Sequence, residues 1–105
     1  MQRLMYIVGT SFMVEDRVHQ AWLESVRGLY IPALKEAGYD RLTFTRVISA
    51  EPTGAFTYSL QVAVPDMEAY RQVNEQLMAR YGKTLRERFG EQVLWFTSLL
   101  KRVEY

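Results

Sequence analysis

The stretch Asp16–Gly38, DRVHQAWLESVRGLYIPALKEAG, decides how the rest of the chain is read. Val18, Trp22, Val26, Leu29 or Tyr30, Ala33 and Ala37 recur at helical intervals and line one face of a 3.6-residue period. Asp16 is placed to cap the first turn, and Gly38 sits where a left-handed residue ends a helix. Pro32 interrupts the pattern. It has no N–H to donate, and its ring would meet the carbonyl of Gly28, so a kink or restart is expected between Gly28 and Pro32.

Working outward, Leu4–Val14 is aliphatic and aromatic at both odd and even positions, which predicts a strand buried on two sides. Arg41–Ser49 alternates, with Leu42, Phe44 and Ile48 opposite Thr43, Thr45 and Ser49. After a turn at Ala50–Gly54, Ala55–Val64 alternates more cleanly, so the two segments form a β-hairpin. Asp66 is placed to cap a second helix carrying Met67, Tyr70, Val73, Leu77 and Tyr81 at helical spacing. Gly82 is expected to break that helix, leaving Lys83–Phe89 as a short further turn. Gln92–Val103 reads as a long last strand with large side chains on both faces.

The order is βαββαβ, a ferredoxin-like α+β arrangement in one domain, residues 1–105. Right-handed crossovers put both helices on one face of a four-stranded antiparallel sheet, with the first and third strands central. Residues facing away from the helices include Ile7 or Leu4, Val47, and either Trp95 or Phe96. That face is too apolar to stay wet, so a homodimer with two such faces in contact is expected.

Composition narrows the chemistry. Thirteen basic and twelve acidic residues nearly cancel, which gives no electrostatic footprint for nucleic acid. Phe56 and Tyr58 alternate on a central strand as in RNA-recognition domains, but the basic-Gly-aromatic motif of those domains is absent. No cysteine is present, which excludes disulfides, thiolate metal sites and cysteine nucleophiles. With one histidine there is little to build a metal site from, and no glycine-rich phosphate loop follows a strand. No metal or cofactor is therefore expected. No apolar run approaches the roughly 20 residues that span a bilayer. Arg3 and Leu4–Val8 lack a leader's cleavage site and read as strand, so a cytoplasmic protein is expected.

At this point the chain resembles the dimeric α+β barrel superfamily, and within it an uncharacterised family, a domain of unknown function. The resemblance rests on His19-x-x-Trp22-Leu23, on Ile31-Pro32-x-Leu34, on Arg46-Val47, on Arg88-Phe89-Gly90 and on Leu99-Leu100. It implies the ferredoxin-like fold and a homodimer, and it carries over no established activity. In that family's pattern a histidine precedes the Ile-Pro pair; this chain has Tyr30 there.

Five side chains are candidates for binding a small ligand: Trp22, Tyr30, Arg46, Tyr58 and His19. His19 has two chemical roles open to it, general base or haem ligand, yet its place beside the apolar stripe also suits a partly exposed first-turn residue. Trp22 is either the core anchor of the first helix or the wall of a ligand site. Arg46 shares a strand face with Leu42, Phe44 and Ile48. There it can run its stem to solvent, pair with Glu15, Asp16 or Glu104, or hold an anion. Tyr58 supplies a hydroxyl on the same face. No catalytic cluster is visible. Two readings stand: a dimeric assembly or partner-binding domain, or a small-molecule site between the first helix and the sheet, including a cofactor-free monooxygenase.

Overall fold

Strand pairing in the computed structural model, which describes residues 4–48 and 54–105, runs β2-β3-β1-β4 through one antiparallel sheet. The strands are β1 (Tyr6–Glu15), β2 (Leu42–Arg46), β3 (Ala55–Val64) and β4 (Val93–Lys101). β1 lies between β3 and β4, with Phe12 opposite both Tyr58 and Trp95. The two central strands are the first and the third, as the ferredoxin-like order requires. The expected turn at Ala50–Gly54 lies outside the described residues except for Gly54, which has φ +78°.

Alternation along the strands separates two faces. Val8, Phe12 and Val14 of β1, Leu60, Val62 and Val64 of β3, and Val93 of β4 are buried under the helices. Thr10 is buried among them, its hydroxyl 3.0 Å from that of Thr97. β2 is shorter than its alternation suggests and stops at Arg46.

The first helical segment opens with a 3-10 turn, Asp16–Val18, whose N-cap position is taken by Glu15 rather than Asp16 and carries no side-chain cap. It continues as α1 (His19–Ser25), a π-helical segment (Val26–Tyr30) and α2 (Ile31–Glu36). The expected kink at Pro32 is absorbed by the π segment: the Ile31 N–H reaches back to the Val26 carbonyl, and the wider winding accommodates a residue that cannot donate. Gly38 ends the segment at φ +101°, with the Tyr39 N–H on the Leu34 carbonyl at 3.0 Å.

The second helical segment comprises α3 (Met67–Arg71), a π segment (Gln72–Met78) and α4 (Ala79–Phe89). Asp66 caps it by accepting the Ala69 N–H at 2.8 Å. Gly82 does not break it. The helix runs through that residue, and glycine is there because a side chain would collide with the Trp95 indole: a Cβ would come within 2.8 Å of Cζ2. The π segment also changes which residues are buried. Val73 is followed inward by Met78, while Leu77 is only partly buried.

Candidate functional site

The corner where β1 hands over to α1 gathers four of the five candidate side chains. Phe56 and Tyr58 are two apart on β3, so both point towards the helices. His19, the first residue of α1, lies flat on Phe56, with ring centroids 3.9 Å apart and planes at 14°. Its Nε2 is 2.6 Å from the Tyr58 hydroxyl oxygen. Arg46 pairs with Tyr58 across β2 and β3 and holds its guanidinium 5.7 Å above the Phe56 ring. The Arg46 residue is exposed.

Beneath this layer sits Trp22, fully buried, with ring centroids 4.9 Å from Tyr58, 5.2 Å from Phe12 and 6.1 Å from Phe44. Its indole Nε1 is buried and has no acceptor among the described residues. An unanswered buried donor of this kind costs about 1–3 kcal/mol.

Tyr30 is not part of the corner. It stacks on Tyr81 at 4.7 Å and 5°, on the far side of Phe12. Burial, with the nearby Tyr81, pushes the Tyr30 phenol well above the usual range. Burial pushes Tyr81 up to about 12, against the opposing pull of its hydrogen bond to Ser25 and of Arg88. The Ser25 hydroxyl bridges the Trp22 carbonyl and the Tyr81 hydroxyl, each at 2.7 Å, and so ties the two helical segments together.

Chemically the corner offers an imidazole, a phenol and a guanidinium around aromatic rings. It suits holding a flat acid better than attacking a bond. Among the described residues no three His, Asp or Glu side chains come together as a metal-ligand set, and no helix is long and apolar enough to cross a membrane.

Of the clefts that lie elsewhere, the sequence reading anticipated none, and two are large. One, of about 710 Å3, opens between residues 37–41, the end of β3 and the start of α3. In it the Tyr39 hydroxyl donates to Gln72 Oε1, and burial, with Asp66 and Glu68 nearby, raises the Tyr39 phenol. The other, of about 500 Å3, runs between the second helical segment and β4 beside Trp95. Gly82 inside an otherwise helical pattern was its available signal, because an internal glycine often marks close packing.

The sheet face away from the helices is divided. Ile7, Met13, Leu94, Phe96 and Leu100 occupy its β1–β4 half, and Thr43, Thr45, Thr57, Ser59 and Gln61 its β2–β3 half. Trp95 pairs with Phe12 on the helix side, so Phe96 is the aromatic on the open face.

A family model described as a domain of unknown function, DUF4286, matches residues 5–103. The chain belongs to that family. It is the uncharacterised ferredoxin-like family that the His19–Leu23 and Ile31–Leu34 motifs led one to expect. No curated protein matches the chain. Among solved structures, a protein of the ethyl tert-butyl ether D (EthD) family from Bacillus halodurans superposes with TM-score 0.65 at 14% identity, over 94% of this chain and 100% of that one. A dimeric ferredoxin-like protein from an uncultured marine organism gives 0.64 at 18%, over 95% and 96%. A de novo designed protein, Foldit4, gives 0.60 at 9%, over 93% and 98%. A designed chain on the same backbone underlines that these matches establish the fold alone.

Proposed function

We propose that the protein is an assembly domain that forms a homodimer by packing two open sheet faces together, in the cytoplasm. One observation carries the reading: on that face Met13, Leu94, Phe96 and Leu100 are 44%, 41%, 59% and 42% exposed and adjoin across β1 and β4. An apolar strip of this kind on a monomer marks an interface. The solved neighbour described as a dimeric ferredoxin-like protein supports it. Sedimentation equilibrium at micromolar concentration is the test. A dimer that Phe96→Glu converts to a folded monomer is the expected result, and a monomeric wild type overturns it.

A second reading draws on the buried Trp22 Nε1 without an acceptor. In it a small aromatic or acidic metabolite enters at the corner, meets Arg46 first, and displaces His19 from Tyr58. Tyr30, stacked on Tyr81 beyond Phe12, takes no part in this site. Such a site could bind a ligand or run a cofactor-free oxygenation, since electron-rich substrates need few polar residues for that. Native mass spectrometry and an absorption spectrum of the purified protein decide it: a reproducible bound mass supports the site, and a bare protein sets it aside.

A further inference from the structure

The two edges of the sheet are guarded differently. β2 is five residues long, follows Arg41 and ends on Arg46, a short charged edge of the kind that resists pairing. β4 is nine residues long and carries no charged side chain from Val93 to Leu100, only Lys101 at its end. Its backbone polarity follows from the register. The Arg102 N–H donates to the Met5 carbonyl at 2.8 Å, continuing the pairing of Tyr6 with Lys101. Bonded pairs alternate in an antiparallel ladder, so even-numbered β4 residues bond to β1. Val93, Trp95, Thr97, Leu99 and Lys101 turn their N–H and C=O groups outward. The same parity puts Ala63 and Thr57 on the β2 side of β3, where the bonds of Ala63 to Arg41 and Val47 to Thr57 are found.

Alongside that edge runs the groove of about 500 Å3 between the second helical segment and β4. Met78, Gly82 and Trp95 form its apolar part, and Lys83 and Arg86 line it with no carboxylate among the lining residues. The Arg86 guanidinium lies 4.8 Å over the Trp95 ring.

We propose that the outer edge of β4 and this groove form a docking site for an extended peptide with carboxylate side chains at alternate positions. The peptide adds a fifth strand. Its backbone pairs with Trp95, Thr97 and Leu99, its acidic side chains turn to Lys83 and Arg86, and the intervening ones lie beside Leu94 and Phe96. A second copy of β4 fits this edge less well. Its own helix-side residues, Val93, Trp95, Thr97, Leu99 and Lys101, bring no carboxylate to the two cations and add a third. Leu94 and Phe96 also belong to the proposed dimer face, so peptide and dimer compete for them, and the two readings fail separately.

The test is fluorescence anisotropy with a fluorescein-labelled decapeptide of alternating glutamate and valine, against its lysine–valine counterpart. Both are measured on the Met13→Glu variant, which separates the edge from the sheet-face dimer. The glutamate peptide is expected to bind at least about tenfold tighter than the lysine one. Methylating its alternate backbone nitrogens, on the register that faces β4, is expected to weaken it by about tenfold. Lys83→Glu with Arg86→Glu, both exposed, should reverse the charge preference while leaving the fold intact. Equal binding of the two peptides, indifference to N-methylation, or an unchanged preference in the charge-reversed protein each overturns the proposal. A self-pair through β4 that the glutamate peptide cannot displace does so as well.

Discussion

Trp22 and Phe96 lie on opposite sides of one sheet, and they meet very different surroundings. Trp22 is fully buried against Phe12, Phe44 and Tyr58, while Phe96 is 59% exposed on a face that no element among the described residues covers. The helix side is a finished core, stitched by the Ser25–Tyr81 hydrogen bond and the Thr10–Thr97 pair. The open side has the same strand alternation with only half of its partners. Folding free energy therefore comes from the first side, and the association proposed above draws on the second.

Breaking the first side should cost most. Trp22→Ala is expected to destabilise the monomer by about 3–5 kcal/mol, read from urea unfolding. A loss below about 1 kcal/mol would mean that the unanswered indole N–H offsets most of the ring's packing.

The next effect is on pH. Burial holds Tyr81 neutral in the fold with a pKa pushed up to about 12, above the ordinary phenol value of 10.0 that applies when the chain unfolds. Its contribution is therefore complete below pH 10.0 and is lost as pH rises towards 12. Roughly 1–3 kcal/mol should disappear across that window. Unfolding series at rising pH check this, and Tyr81→Phe should lessen the slope, with the raised Tyr30 phenol supplying what remains.

Gly82→Ala is expected to destabilise by about 1–3 kcal/mol despite the better helix propensity of alanine, because the new methyl meets the Trp95 ring. Thermal unfolding reads it, and a rise in Tm would show that Trp95 can swing away. The smallest effect sharpens the comparison from the other side. Phe96→Ser should shift monomer stability by no more than about 0.5 kcal/mol, while self-association, followed by sedimentation, falls.

Much of this architecture is legible in the residues. The clean alternation of Ala55–Val64 matches β3 to the residue, and Asp66 caps as its type predicts. Four things were not legible, for identifiable reasons. Trp95 and Phe96 are adjacent and both aromatic, so only the pairing of Phe12 with Trp95 decides which faces the helices. Gly82 reads as a breaker because the constraint that fixes it comes from a residue on another strand. The contact between His19 and Tyr58 spans 39 positions in sequence, and neither residue carries any local mark of the other. Tyr30 followed the helical stripe faithfully, yet stripe membership says nothing about which of two aromatic clusters a side chain joins.

The π segment at Gln72–Met78 has a consequence for how this chain could change by insertion and deletion. A π winding holds one residue more than an α-helix uses over the same span. Excising a single residue there lets the segment rewind as α-helix over the same span and leaves the downstream phase nearly unchanged. Tyr81, Leu85 and Phe89 then stay against the sheet, and Gly82 stays under Trp95. A deletion inside α4 has no spare residue to draw on and turns everything after it by about 100°. The segment is thus the place where this helix absorbs a change in chain length.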